Sequence, residues 1–267
     1  MARCTTSMSS GEARIEPGRG GLTAPAVVLD EVTISLGGRQ LFSGLSLVFD
    51  GGRTTCILGP SGCGKSTLLR LVAGIGPPLL RGRVAVSGMG GGPCPCAWMG
   101  QEDMLLPWLS LHDNLLLGAT LRGQRDREAE GQARLLLARA GLAEAGDSLP
   151  AQLSGGMRQR GALLRTLLED RPVVLMDEPF SALDALTRQR LQDLAAGLIG
   201  GRTVLLVTHD PLEALRLADD IVIFAGSPAM VVARLQPPGR PPRAVGEGEM
   251  ARLHGHLLSL LMVGGQP

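Results

Sequence analysis

The chain has no tyrosine, and only four phenylalanines and two tryptophans in 267 residues. Rings that could stack on unpaired bases are therefore scarce, which counts against a single-strand nucleic-acid binder. An excess of one charge is missing as well: 26 basic residues against 25 acidic ones leave a net charge of +1. Nothing in that balance draws the chain to nucleic acid or to an anionic membrane surface. No apolar run approaches the roughly 20 residues that span a bilayer; the longest, Leu257 to Val263, is far too short. Residues Met1 to Gly21 are rich in Ser, Gly and Arg and lack an apolar h-region. Residues 1–25 thus read as a disordered leader and not as a signal peptide. Five cysteines form no disulfide framework. Cys94 and Cys96 flank Pro95, but no second pair or histidine cluster completes a metal site. Free thiols fit a reducing compartment.

What the chain does have is apolar bulk, at 44% hydrophobic residues, enough for one large α/β domain with or without a small appendage. Short alternating patterns at Val27–Leu36 and Leu45–Phe49, turned by Gly37-Gly38 and Gly51-Gly52, predict antiparallel strands. Near-continuous apolar strands are expected at Thr54–Leu58, Ala97–Met99, Pro172–Met176, Thr203–Thr208 and Ile221–Phe224, with a short strand at Arg83–Val86. Helices are expected at Ser66–Ala73, Leu111–Leu121, Arg125–Ala140, Gly155–Leu168, Ala185–Leu198, Pro211–Ala218 and Met250–Met262, and a Gly/Pro loop at residues 87–96. Strands alternating with helices, and apolar throughout, indicate a mostly parallel sheet covered on both faces.

Two segments look built for phosphate. Gly59-Pro60-Ser61-Gly62-Cys63-Gly64-Lys65-Ser66-Thr67 follows an apolar strand and opens a helix, the context that the P-loop pattern requires. Its glycines let backbone N–H groups approach phosphate oxygens, Lys65 reaches the β and γ phosphates, and the Ser66 hydroxyl suits Mg²⁺. The second segment is Leu153-Ser154-Gly155-Gly156-Met157-Arg158-Gln159-Arg160, a tight turn opening another helix and a second anion cradle. One nucleotide hardly needs two cradles, so either the chain binds two or two copies share each one. Between them in role, the strand Val173-Val174-Leu175-Met176 ends in Asp177-Glu178-Pro179. A strand tip in an open α/β sheet faces the ligand crevice. There Asp177 suits a hold on Mg²⁺ and Glu178 suits polarising an attacking water.

The doublet of cradles resembles the nucleotide-binding subunit of ABC transporters, whose signature is the LSGGxxxR stretch. The resemblance covers roughly residues 27 to 225. It implies a P-loop NTPase fold: a mixed, mostly parallel central sheet, an antiparallel β subdomain, and a helical signature subdomain at about residues 102–170. The ATPase domain would occupy residues 26–226, with residues 227–267 as a C-terminal extension. Two copies would pair head to tail, so that Ser154, Gly155, Gly156 and Gln159 of one copy meet the MgATP held at residues 59–67 of the other. Asp184, in Phe180-Ser181-Ala182-Leu183-Asp184, resembles the loop that links the two sites, and it also suits a helix N-cap. His209 resembles the switch histidine at the γ-phosphate. Gln101 resembles the glutamine that senses the γ-phosphate through Mg²⁺ or water. In the family an aromatic residue precedes the first turn and stacks on adenine. Here that position is Leu36, which offers apolar contact alone.

The run from Gln101 to Leu115 resembles the LLPW segment of importers in the nitrate, sulfonate and taurine group. Leu105, Leu106, Trp108 and Leu109 would form an apolar groove for a short helix of a membrane subunit. With Leu116-Leu117-Gly118, Leu121-Arg122-Gly123 and Arg165–Pro172, it looks most like members importing hydroxymethylpyrimidine-type thiamin precursors. The resemblance implies an ATPase subunit at the cytoplasmic face of a bacterial inner membrane, with transmembrane permease subunits as partners, a solute-binding protein as an indirect partner, and no nucleic acid. Alternative readings are an exporter ATPase, a non-membrane ABC ATPase, and a small-molecule P-loop kinase, the last of which leaves the Ser154 turn without a role.

Overall fold

A computed structural model describes residues 24–87, 95–244 and 248–264. The leader assigned to residues 1–25 falls almost wholly outside the described residues, as do Cys94 and most of the expected loop at 87–96.

Strands β1 (Val27–Leu36), β2 (Arg39–Phe49) and β4 (Arg81–Val86) form an antiparallel sheet in the order β2-β1-β4. A six-stranded sheet takes the order β5-β6-β7-β3-β8-β9, built from β3 (Thr54–Leu58), β5 (Cys96–Met99), β6 (Val173–Asp177), β7 (Thr203–Val207), β8 (Asp220–Ala225) and β9 (Met230–Leu235). The first five in that order run parallel, and only β9 is antiparallel to its neighbour. The central strands β3, β6, β7 and β8 are buried at every residue, as a sheet covered on both faces requires.

The period of two in a strand sorts their side chains onto those faces. Cys56, Leu58, Val174, Met176, Val204, Leu206, Ile221 and Ile223 join one core with the helices. These helices are α2 (Leu111–Leu115), α4 (Arg127–Arg139), α5 (Gly155–Leu168), α6 (Ala185–Ile199), α7 (Pro211–Leu217) and α8 (Gly248–Gly264). The alternate residues Ile57, Val173, Leu175, Leu205, Val207, Val222 and Phe224 face the second core, with α1 (Lys65–Val72) and the antiparallel sheet.

Two expectations change. The helix expected over Leu111–Leu121 is broken at Leu116 (ψ 0°) into α2 and α3 (Leu117–Leu121). Its apolar spacing is unbroken, so the reason lies in tertiary contacts. Gly118 packs so closely against the Glu169 carboxylate that a Cβ there would collide with it, and Glu169 pairs with Arg122 one turn on. Strand β9 was not expected. Its alternation is real, with half-buried Val231, Ala233 and Leu235 against exposed Met230, Val232 and Arg234. Flanking Pro and Gly obscure it, and an edge strand tolerates such flanks. Among the described residues no helix is long and apolar enough to cross a membrane.

The segment after β9 is pinned by one side chain. The Arg243 guanidinium, 7% exposed, donates to the carbonyls of Pro237, Pro238, Gly239, Leu215 and Ala218 at 2.6–3.1 Å. Removing it strands five acceptors, two at the end of α7 and three in the segment after β9. Arg243→Met is expected to lower unfolding free energy by about 3 kcal/mol in a urea titration, with an unchanged m value. A loss under about 1 kcal/mol would mean that water replaces the guanidinium without cost.

Candidate functional site

The strand order β5-β6-β7-β3 decides the site. Registers Met99↔Met176, Asp177↔Val207 and Ile57↔Val207 bring four consecutive strands to their carboxyl ends at one level. The segments leaving those ends carry Gln101, Asp177-Glu178, His209 and the loop Gly59–Ser66. Residues from four separate stretches of chain therefore share one crevice, where ligands of open α/β sheets bind.

The loop after β3 is cramped from below. Phe42 and Phe224 pack as a tilted pair, ring centroids 5.9 Å apart. A Cβ at Gly59 (φ 153°) would lie 2.6 Å from the Phe224 carbonyl oxygen, and one at Gly64 (φ 101°) would lie 2.9 Å from Phe42 Cζ. Only glycine fits at both positions. Gly64 also precedes α1 without any side-chain cap, which leaves the first N–H groups of the helix free for an anion. Lys65 is 9% exposed, and its Nζ donates to the carbonyls of Gly59 and Pro60, each at 2.8 Å. It is the chain's only lysine. Cys63 lies against it, with Sγ 4.0 Å from Nζ; burial pushes the thiol up while Lys65 holds it down.

Asp177 is 3% exposed, with Ser66 beside it. Burial pushes the Asp177 carboxyl up, as does the charge of Glu178, against the pull of Ser66, Arg70 and Lys65. A buried carboxylate paired with a hydroxyl is a hard-oxygen donor set, the kind that takes Mg²⁺. Among the described residues no group of three or more His, Cys, Asp or Glu could hold a metal. A cation at Ser66-Asp177 must therefore complete its shell from phosphate and water, the habit of Mg²⁺.

Glu178 has left-handed backbone (φ 52°), unusual for a side chain of that size. Its N–H donates to the Val207 carbonyl at 2.9 Å. Its own carbonyl accepts from Gln159 Nε2 (3.2 Å), Ser181 Oγ (3.1 Å) and Ser181 N (3.3 Å). The carboxylate Oε2 lies 3.2 Å from His209 Nδ1. The His209 side chain is 65% exposed and that of Glu178 22%, so the pair stands at the mouth of the crevice. Gln101 is exposed just beyond β5.

At the segment read as a second cradle, Ser154 caps α5, its Oγ accepting from Met157 N at 3.3 Å, with Ser154 and Gly155 exposed. Gln159 departs from expectation. The family resemblance places it with Ser154–Gly156 on a face that meets a second copy, yet it is 8% exposed and turned inward. Its amide is used at both ends, Nε2 donating to the Glu178 carbonyl and Ser181 Oγ, and Oε1 accepting from Ala182 N at 2.9 Å. Three residues apart on one helix face, Gly156 and Gln159 both look towards the Glu178–Ala182 turn of the same chain, a Cβ at Gly156 falling 3.6 Å from Ala182 O. Asp184 caps α6, accepting from Thr187 N at 3.0 Å; that bond holds its carboxyl below the usual range. Leu36 ends β1, 55% exposed. In the apolar run, Leu105 is buried while Met104 and Trp108 are exposed at 58% and 71%. Asn114 holds that run in shape, its side chain bonding Leu106 N and O, Leu109 O and Ser110 O.

One group escaped the sequence analysis. Glu213, in the first turn of α7, lines a cavity of ≈ 20 Å³ with Glu178, Ser181, Arg188, His209 and Asp210. Its Oε1 is buried without a hydrogen-bond partner among the described residues. Burial, and then the charge of Asp210, push its carboxyl up to about 8, against a Thr208 hydrogen bond and Arg188. Three residues after the N-cap Asp210, Glu213 sits where a capping acid belongs, and that placement hides its inward turn.

Because the folded pKa of Glu213 lies above the ordinary value of 4.5, the folded state keeps a proton that the unfolded chain releases. The stability this confers is whole below the unfolded value and lost as pH rises towards about 8. Glu213→Gln removes that dependence, so its gain over the parent should be about 3 kcal/mol larger at about pH 8 than at about pH 5 by denaturant titration. A pH-independent difference would show Glu213 ionised in the fold.

The family model described as "ABC transporter" matches residues 42–181. An uncharacterized ABC transporter ATP-binding protein of Haemophilus influenzae is 39% identical over 88% of this chain and 98% of its own length. A taurine import ATP-binding protein of Pseudomonas aeruginosa is 44% identical over 74% of this chain and 76% of its length. An aliphatic sulfonates import ATP-binding protein of Burkholderia ambifaria is 42% identical over 92% and 76%. Among solved structures, the dimeric post-hydrolysis state of the ATP-binding cassette MJ0796 bound to ADP and Pi superposes with a TM-score of 0.70 at 28% identity, covering 80% of this chain and 99% of that one. A crevice that gathers a P-loop, an acid pair and a histidine at four parallel strand ends, together with these likenesses, makes the chain a member of the ABC transporter family and one of its ATP-hydrolysing cassettes.

Proposed function

We infer that the chain is the ATPase subunit of a bacterial importer, lying peripherally at the cytoplasmic face of the membrane and coupling a head-to-tail dimer to permease subunits. The observation that carries the reading is the Glu178–His209 pair, 3.2 Å apart, beside the Lys65 and Ser66-Asp177 strand ends. Phosphate oxygens entering the loop take over Lys65 from the carbonyls of Gly59 and Pro60 and meet the free N–H groups of α1. Ser66 and Asp177, with Gln101 at the rim, would hold Mg²⁺, which when bound neutralises charge on the β and γ phosphates. Glu178 orients the attacking water. His209, two-thirds exposed, exchanges Glu178 for a γ-phosphate oxygen. Ser154, Gly155 and Gly156 of the second copy close over the same phosphates, so binding energy is spent on closing the dimer and hydrolysis releases it. Asp184 borders the joint.

Exposed Met104 and Trp108 offer the apolar contact for a permease helix. Arg165, donating to the Met104 and Asp103 carbonyls, and Arg158, donating to the Asp103 carboxylate, tie that surface to α5. The names of the relatives favour a small sulfonate or taurine-like solute. A pyrimidine thiamin precursor rests on the likeness of the Gln101–Gly123 run alone. Pull-down from native membranes is expected to recover a multi-span permease, and the solute-binding protein that travels with it identifies the solute. Soluble partners alone would end the transport reading.

Glu178→Gln should keep ATP binding, lower turnover by at least about 100-fold, and trap an ATP-bound dimer detectable by gel filtration. Normal turnover in that variant would take Glu178 out of the mechanism. Leu36 supplies no ring to stack on the base, and stacking is worth about 1–3 kcal/mol. ATP and GTP are therefore expected to bind within about tenfold of each other in a competition titration. A GTP affinity hundreds of times weaker would mean that base selection lies elsewhere.

A further inference from the structure

Gln159 sits on the helix that Ser154 caps, yet it bonds the turn that carries Glu178. Buried Phe180 and Leu183 anchor the far side of the turn, and Arg188 donates to the Leu183 carbonyl at 2.9 Å; Gln159 acts at its start, on the Glu178 carbonyl itself. Glu178 is in the left-handed region, its N–H is fixed by Val207, and its carbonyl is fixed by Gln159 and Ser181. Gln159 also donates to Ser181 Oγ, so the two residues reinforce one another on a single carbonyl. At its other end it holds Ala182 N. Gly156, in the first turn of the same helix, faces that turn: a Cβ there would fall 3.6 Å from Ala182 O and 3.9 Å from Leu183 Cδ2. A shift of the Ser154 end of α5 is thus passed to the backbone of Glu178 within the same chain.

We propose that Gln159 is a positioning residue for Glu178, coupling the Ser154 cradle on one face of the subunit to the water-orienting carboxylate of that same subunit. In a head-to-tail dimer, Ser154 closes on the nucleotide held by the second copy while Gln159 sets Glu178 over the subunit's own nucleotide. Each site then reports its occupancy to the other through one amide. The inference rests on the reading of Glu178 and of the dimer given above. It differs from a second-copy contact because Gln159 acts in cis.

The test is Gln159→Leu, which keeps bulk and removes three hydrogen bonds. Steady-state hydrolysis, normalised to bound nucleotide, should fall about 10- to 100-fold in kcat with KM within about threefold. The Hill coefficient for ATP should drop towards 1. The double variant Gln159→Leu/Glu178→Gln should still dimerise with ATP as Glu178→Gln alone does. A kcat within twofold of the parent overturns the proposal. So does loss of ATP-driven dimerisation, which would put Gln159 in the clamp on the second copy's nucleotide. If Gln159→Leu does not fold, Ser181→Ala at an exposed position removes one bond to the same carbonyl and is read in the same way, with an expected fall of about 3- to 10-fold. Failure of the parent to hydrolyse ATP, or normal turnover in Glu178→Gln, would instead strike the reading of the site and not the coupling.

Discussion

Everything functional in this molecule depends on one constraint: β5, β6, β7 and β3 are parallel neighbours that stop at the same level. Parallel strands cannot be joined by tight turns, so each must be reached by a crossover. The crossovers here are α1 to β4 and β5, the long helical excursion α2 to α5, and α6. Each return delivers a new loop to the same edge. The loops after β3, β5, β6 and β7 differ in chemistry: glycines and an ammonium, an exposed amide, two carboxylates, and an imidazole. Burial of every residue in β3, β6 and β7 holds the level. A one-residue slip of β6 would swap Val174 and Met176 between the two cores and draw Asp177 back from Ser66.

Lys65 carries a second constraint that composition makes visible. Of 26 basic residues it is the only lysine, and the remaining 25 are arginine. At surface pairs and at carbonyl-rich sites this chain uses guanidinium throughout, Arg243 and Arg165 being examples. In the loop after β3 it does not. The Lys65 ammonium is held by two carbonyls 2.8 Å away, with the Cys63 sulfur 4.0 Å from it. A compact point charge on a flexible stem can exchange such partners, whereas a planar fork of five donors is tied to one geometry. A bias strong enough to displace lysine everywhere else stops at this loop.

Much of this was legible from residues alone. The buried strands have apolar runs that end in glycine or acid, and β1, β3 and α5 begin and end where their patterns do. The phosphate loop is readable because glycine spacing and a following helix leave few alternatives. What stayed hidden was tertiary. Leu116 breaks a helix because Gly118 must close on Glu169, a contact 51 residues away in sequence. Strand β9 lacks the uniform burial that marked its neighbours, because an edge strand is covered on one side only. Glu213 and Gln159 have ordinary polar identities at ordinary helical positions. Only the fold shows that one is a buried carboxyl lining a cavity, its Oε1 without a hydrogen-bond partner among the described residues, and the other an amide spent at both ends.

The same hidden contacts tie several parts of the molecule to α5. Its N-terminus presents Ser154, its second turn holds the backbone of Glu178 through Gln159, and Arg158 and Arg165 hold the Asp103-Met104 segment beside exposed Trp108. Gly161 lets Leu111 of α2 pack onto it so closely that a Cβ would lie 2.4 Å from the Leu111 side chain. A rigid helix with polar bonds at three points along 14 residues cannot move at one of them alone. Apolar packing, which tolerates small slides, would leave those points independent; directed hydrogen bonds to carbonyls and to the Asp103 carboxylate do not. Arginine and glutamine at positions 158, 159 and 165 thus fasten three parts to one rod: the Ser154 turn, the backbone of Glu178 and the Asp103-Met104 segment.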